Sequence, residues 1–249
     1  MTTTGVRIDI DGLRKSYNGV AVLRGIDLHI EPGETLVIVG GSGEGKSVLL
    51  RHIAGLEEPD AGSIRFNGID LSAYQEMRAA AKPFRLAMVF QGAALLNSLT
   101  VAENVALRLL EHGKSRREVV DVVATCLEQV GLKHTEDKLP ADLSGGMRKR
   151  VAIARALAAE PQLVLHDEPT ADLDPILTGQ IAELIANIGR RYHATQVIVT
   201  HNLAVATSIG DRIAVLRGGE MVDILPAHAL KDSQHPFTQE FVKAATMHL

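Results

Sequence analysis

Polar–apolar alternation marks the first third of the chain, and helical spacing marks the middle. Alternation over Val6–Ile10 predicts a strand, and Asn18-Gly19 between Arg14–Tyr17 and Val20–Leu23 predicts a two-residue hairpin. Thr35–Val39 is a short β-branched apolar run, the pattern of a strand buried on both faces. A helical segment from Lys46 to Ala54 follows directly and stops at Gly55. From about Val101 to Ala159 the periodicity is helical. Within it, Ser115 and Glu118 form a capping box ahead of Val119, Val120, Val122, Val123, Leu127 and Val130, and Gly131 supplies the stop. Strand patterns return at Leu163–Leu165, Gln196–Thr200 and Arg212–Leu216, with a helical stretch from about Ile176 to Arg191 between the first two. Buried strands alternating with helices predict a parallel sheet with right-handed crossovers, so the helical middle is an insertion into an α/β core. The expected division is 1–91 with 160–225 as the core and its β subdomain, 92–159 as the helical subdomain and 226–249 as a C-terminal extension. That last piece is too short for a regulatory ligand-binding domain.

Composition narrows the partners. Lys and Arg number 26 against 30 Asp and Glu, a net charge of −4, which argues against holding nucleic acid by bulk electrostatics. One cysteine, Cys126, excludes an internal disulfide or a Cys-based zinc site and fits a reducing compartment. No positively charged then apolar N-terminal segment is present, so no signal peptide is expected. The longest uncharged stretch, Leu86 to Ala102, is interrupted by Gln91, Asn97, Ser98 and Thr100 and is no membrane span. A cytosolic chain is expected.

The chemistry begins at Gly40-Gly41-Ser42-Gly43-Glu44-Gly45-Lys46-Ser47, which fits G-x-x-x-x-G-K-[ST] between a buried strand and a helix. Glycines there let backbone N–H groups turn toward a phosphate, Lys46 can reach the β- and γ-phosphates, and Ser47 can ligate Mg2+. Leu143-Ser144-Gly145-Gly146-Met147 starts a second helix: either a plain capped helix, or an anion site serving a nucleotide held by another copy of the chain. Leu163–Leu165 runs into His166, Asp167 and Glu168. Asp167 suits a Mg2+ shell and Glu168 suits general-base activation of water, since ligands gather beyond the C-terminal ends of such strands. His201, after Gln196–Thr200, is placed to sense a γ-phosphate, and Gln91, after Leu86–Phe90, to touch Mg2+ or water while linking core to insertion. Strand alternation makes His166 a core histidine rather than a catalytic one. Tyr17, beside the hairpin tip, either stacks on adenine or packs internally.

Taken in order, Tyr17, Gly40–Ser47, Gln91, Leu143–Met147, Leu163–Glu168, Ala171–Asp174 and His201 resemble the ATP-binding cassette (ABC) ATPases over nearly the whole chain. The resemblance implies a P-loop NTPase (RecA-like) α/β core with an N-terminal antiparallel β subdomain and an inserted α-helical signature subdomain. It implies ATP and Mg2+ as ligands. Tyr17, Gly40–Ser47, Val48, Ser144, Gly145, Gly146 and Asp174 would bind nucleotide. Glu168, His201 and Gln91 would act in catalysis, and Ser47, Gln91 and Asp167 at the metal. Val48, His166 and Met147 depart from the usual pattern without removing a catalytic group. Three stretches, Gly45–Ile53, Phe90–Val105 and Ser144–Ala152, resemble ATPases of Mla/Mce-type phospholipid transporters, although Leu96 replaces their usual phenylalanine.

That resemblance implies a homodimer around two Mg-ATP on the cytoplasmic side of a bacterial inner membrane. It would drive an integral-membrane permease with a STAS-domain subunit and a periplasmic MCE-domain protein, to maintain outer-membrane lipid asymmetry. Leu95, Leu96 and Leu99 would either line the permease contact or pack internally. The rivals are an import ATPase for amino acids or other small solutes, and a soluble ABC protein of repair or translation. Lys46 to Ser144 lacks the sustained heptads of repair types, and the chain holds one cassette where translation types usually hold two.

Overall fold

The structure, a computed structural model, describes residues 5–78, 81–111 and 115–246. Residues 1–4 and 79–80 of the expected core, 112–114 of the insertion and 247–249 of the extension lie outside the described residues. β1 (Ile8–Tyr17) and β2 (Val20–Ile30) form the expected hairpin, with Tyr17 paired to Val20 and both turn residues left-handed, Asn18 at φ 50° and Gly19 at φ 80°. The segments Val6–Ile10 and Arg14–Tyr17 belong to one strand rather than two. Gly12 at φ 56° absorbs a register shift between Ile10 and Leu13, and Val6 is buried ahead of the strand.

β3 (Thr35–Val39) is followed by α1 (Lys46–Ile53), β4 (Ala61–Phe66), β5 (Ile69–Asp70), α2 (Leu71–Glu76) and β6 (Leu86–Val89). Then come the inserted helices α3 (Val101–Glu111), α4 (Arg116–Gln129) and α5 (Gly145–Ala158). The chain returns through β7 (Leu163–Asp167), α6 (Pro175–Tyr192), β8 (Thr195–Thr200), α7 (Leu203–Ile209), β9 (Arg212–Arg217) and β10 (Glu220–Pro226), ending in α8 (Pro236–Thr246). The Ser115–Glu118 capping box is present at the start of α4, and Gly131 follows its end at φ 71°. β7 runs two residues beyond the expected Leu163–Leu165, which puts Asp167 inside the sheet. β4, β5, α2, α7 and β10 have no counterpart in the apolar pattern, and α8 closes the C-terminal extension. α8 is tethered to β9 and β10: Thr238 and the preceding Ser233 donate their hydroxyls to Asp223 of β10, and the Arg217 guanidinium of β9 lies over Phe237.

Two sheets result. The antiparallel one is ordered β2-β1-β4-β5; the larger is ordered β10-β9-β3-β8-β7-β6, parallel except for β10 at its edge. Both faces of the larger sheet are covered. Leu36, Ile38, Leu165 and Val199 face α1 and the antiparallel sheet. Val37, Val39, Val164 and Ile198 face the helices on the other side. Double-sided burial is why these strands read as unbroken apolar runs instead of alternating ones. No helix among the described residues is long and apolar enough to cross a membrane.

Candidate nucleotide site

Strand register assembles the site. Val39 pairs with Thr200, and Asp167 with Val199, so Gly40, Glu168 and His201 leave the sheet at one level, at the C-terminal ends of β3, β7 and β8. Two glycines of the first loop are required sterically. A Cβ on Gly40 would come to 2.4 Å from the Leu216 carbonyl oxygen, and Gly45, at φ 101°, abuts the Val22 carbonyl of β2. The first intrahelical bond of α1 runs from Leu49 N to Gly45 O at 2.9 Å, leaving the N–H groups of Lys46, Ser47 and Val48 ahead of it. Those groups and the helix dipole favour an anion. The Val48 side chain packs against the apolar core, Ser42 and Gly43 are exposed, and Gly41 lies beside Glu44. Glu44 accepts the Gly218 N–H, which ties the loop to the turn after β9.

Lys46 is buried, and its Nζ donates to the carbonyls of Gly40 (2.9 Å) and Gly41 (2.8 Å). Burial pushes its pKa down, while Glu168, Glu44 and Asp167 pull it back up. Ser47 Oγ donates to Asp167 Oδ1 at 2.7 Å. The next residue, Glu168, adopts φ 44°, a left-handed conformation unusual for a side-chain-bearing residue. The two consecutive carboxylates consequently diverge: Asp167 meets Ser47, and Glu168 Oε1 lies 2.9 Å from His201 Nδ1. Both carboxylates are buried, whereas His201 is largely exposed.

Other expected site residues stand further out. Gln91 has an exposed side chain, and its carbonyl accepts a bond from Lys149. The Tyr17 hydroxyl donates to Glu57, which also receives Arg51 Nε of α1 at 2.5 Å; the tyrosine belongs to neither apolar core. Ser144 caps α5 by accepting Met147 N at 3.3 Å; Ser144 and Gly145 are exposed, and Gly146 is buried near Leu177. Asp174 caps α6, accepting the N–H groups of Ile176 and Leu177, both at 2.9 Å. Among the described residues no hydrogen bond joins Ser144–Gly146 or Asp174 to Gly40–Ser47. Leu95 packs against the core, while Leu96 is exposed.

Sequence reading missed Lys149, Asn104, Arg155 and Glu57, which act on backbone carbonyls or on another side chain without a motif. A lysine on the apolar stripe of α5, in line with Ala152, Ile153 and Ala156, was the available signal. For a metal, Ser47 and Asp167 offer adjacent hard oxygen donors. No cluster of three or more His, Cys, Asp or Glu suited to a metal occurs among the described residues. A partial oxygen shell suits Mg2+, which keeps waters and phosphate oxygens as ligands.

A parallel sheet with a phosphate loop after β3, paired carboxylates after β7, inserted helices and a separate antiparallel sheet define an ABC-type P-loop NTPase cassette. The ABC transporter family model matches residues 23–171, and the chain belongs to that family. It is an ATP-hydrolysing enzyme of the transport class, with ATP as its nucleotide. The dimeric cassette MJ0796 in a post-hydrolysis state bound to ADP and Pi is 31% identical, with a TM-score of 0.79 over 88% of this chain and 98% of that one. The cbiO1 protein from Clostridium perfringens, described as part of the ABC transporter complex cbiONQ, has a TM-score of 0.81 at 26% identity, covering 96% of each chain. Methionine import ATP-binding proteins are similar along nearly the whole chain. That of Rhodopseudomonas palustris (strain BisA53) is 39% identical over 98% of this chain, and that of Bordetella avium (strain 197N) is 43% identical over 96%. The chain spans 67% of the length of each of these two relatives.

These relatives overturn the expectation of an Mla/Mce-type phospholipid transporter, and with it the STAS-domain and MCE-domain partners. The alternative, an amino-acid import system, fits better. The reason is structural. Gly45–Ile53 is α1 with its N-cap, Phe90–Val105 is a loop held by α3 and α5 that runs into the first turn of α3, and Ser144–Ala152 is the capped start of α5. In all three stretches the residues cap helices, hold a loop or pack into the cores.

His166 is buried in β7, with Nε2 3.2 Å from Gln196 Oε1 and no partner for Nδ1. Gly189 makes room for this network, since a Cβ there would lie 2.3 Å from Gln196 Nε2. Burial pushes the His166 pKa down to about 4, with the bond to Gln196 opposing. A histidine kept neutral in the folded state contributes stability that is full above the unfolded value near 6.5 and falls as pH drops toward 4. The loss amounts to about 3 kcal/mol. Denaturant midpoints measured from pH 7 to 4 should show this acid-side loss in the wild type and a flatter profile in His166→Leu. Parallel profiles would show that His166 is not the titrating group.

Proposed function

We propose that this chain is the ATPase subunit of an amino-acid importer, with methionine as its cargo. Its similarity to methionine import ATP-binding proteins over 96–98% of its length carries the cargo assignment. The convergence of Lys46, Ser47, Asp167, Glu168 and His201 at one sheet edge supports the chemistry. In this reading the N–H groups of residues 41–48 and Lys46 bind the β- and γ-phosphates of ATP, and the exposed Tyr17 ring supports the base. Ser47, Asp167 and Gln91 would hold Mg2+, which when bound neutralises phosphate charge.

Glu168 acts as the general base. Its carboxylate accepts a proton from the attacking water, and His201 orients that carboxylate through the bond between Nδ1 and Oε1. Asp167 faces Ser47 instead, so the diverging pair separates metal binding from proton transfer. The exposed Ser144–Gly145 turn serves a nucleotide held by a second copy, making the working unit a homodimer around two ATP; Asp174 stands at the start of α6 beside that turn. An integral-membrane permease is the driven partner, with the ATPase held peripherally on the cytoplasmic side of the inner membrane. The division into core (1–91, 160–225), helical insertion (92–159) and extension (226–249) is retained as the functional one.

Glu168→Gln keeps the shape and removes the base. Phosphate release should fall roughly 10²–10⁴-fold while ATP binding persists, because Lys46 and the loop N–H groups are untouched. Turnover at the wild-type rate would remove Glu168 from this role.

At Gly145 a Cβ meets only Leu173 Cδ2, at 4.0 Å, so the fold accommodates Gly145→Asp. A carboxylate there should repel the triphosphate of the partner copy and abolish turnover while leaving ATP binding to the single chain intact. Unimpaired turnover would exclude a composite site.

Cells lacking the chain should lose uptake of radiolabelled methionine, and wild-type but not Glu168→Gln protein should restore it. Unchanged methionine uptake would refute the cargo.

A further inference from the structure

Lys149 lies on the buried face of α5, only 7% exposed. An ammonium at that depth is costly unless its protons find acceptors. Its Nζ donates to the Gln91 carbonyl, 58 residues away along the chain, where the backbone leaves β6. Burial pushes the Lys149 pKa down, and Asp172, Glu168 and Asp167 counter that shift. The cation is therefore within electrostatic reach of both carboxylates that end β7.

The loop beyond Gln91 is held in the same manner. Arg155 of α5 donates to the carbonyls of Ala93 (2.8 Å) and Ala94 (2.7 Å), two residues in left-handed conformation. Asn104 of α3, fully buried, donates to the carbonyls of Leu96, Leu99 and Thr100 and accepts the Leu96 N–H. Among the described residues, every side-chain hydrogen bond into the backbone of 91–100 comes from α3 or α5, and α1, β3, β7 and β8 contribute none. The loop continues a core strand in sequence but is fastened to the inserted helices.

We infer that Lys149 is a positioning residue for Gln91, its ammonium fixing the Gln91–Gly92 peptide to the helix that also carries Ser144–Gly146. This rests on the reading that Gln91 serves the metal or water beside Asp167. Arg155 cannot replace Lys149, because its acceptors lie beyond Gly92. A glycine leaves the preceding peptide free to rotate unless something holds its carbonyl. Lys149 thus sets the direction from which the Gln91 side chain approaches the site.

The test compares the purified full chain with Lys149→Met, Lys149→Arg, Gln91→Ala and the Lys149→Met/Gln91→Ala double variant. ATP hydrolysis is measured against both ATP and Mg2+ concentration. Lys149→Met should lower kcat about 10- to 100-fold, the scale of a misplaced site group, with the KM for ATP nearly unchanged. It should also raise the Mg2+ concentration needed for half-maximal rate. Lys149→Arg, which keeps a cation and donor, should recover much of kcat, and the double variant should be little worse than Gln91→Ala alone. Fully multiplicative losses in the double variant, or no recovery by Lys149→Arg, would overturn the positioning role while leaving Gln91 in place. An unchanged rate and Mg2+ dependence in Gln91→Ala would instead overturn the reading of Gln91, and this inference with it. Should Lys149→Met fail to fold, Lys149→Gln, which retains a donor, is measured in the same way.

Discussion

The parallel pairing of β3, β8 and β7 in a fixed register is the constraint on which the site depends. Val39, Thr200 and Asp167 end their strands at nearly one level, so the phosphate loop, Glu168 and His201 meet across neighbouring strands. A slip of one residue in β7 would exchange its two faces, turning His166 outward from its polar pocket and Asp167 away from Ser47. Burial on both faces prevents that slip. Leu163 and Leu165 are needed in one core, and Val164 in the other.

Within that frame, adjacent like charges are separated by a backbone device. Asp167 ends a regular strand and Glu168 turns left-handed, so carboxylates that are neighbours in sequence point at different partners. The carboxylates are balanced by two buried cations from different elements, Lys46 of α1 and Lys149 of α5. Each ammonium is also tied to backbone carbonyls, Lys46 to its own loop and Lys149 to Gln91. Hydrogen bonding of this kind offsets the cost of burying charge and ties its position to the surrounding packing. Core and insertion thereby reach the same carboxylate pair through one lysine each.

Much of the architecture was legible in the sequence. The hairpin at Asn18-Gly19, the phosphate loop, the capping box at Ser115 and the doubly buried strands rest on rules linking residues a few positions apart, and local backbone geometry enforces those rules. Residues acting through distant carbonyls stayed hidden. Asn104 pins a loop, Lys149 holds Gln91, and Glu57 links Tyr17 to Arg51, each through a contact that no short spacing encodes. The stretches that suggested phospholipid cargo failed for a related reason: they belong to α1, a pinned loop with the first turn of α3, and the start of α5, where capping and packing govern residue choice. Sequence alone determined the hairpin, the doubly buried strands, the capped helix α4 and the phosphate loop, because turn, cap and burial preferences act over a few residues. Tertiary structure alone decided that β1 is one strand, that Glu44 accepts the distant Gly218 N–H, and that Glu168 faces His201. Those outcomes depend on which surfaces pack together, and packing is fixed only when the whole chain has closed on itself.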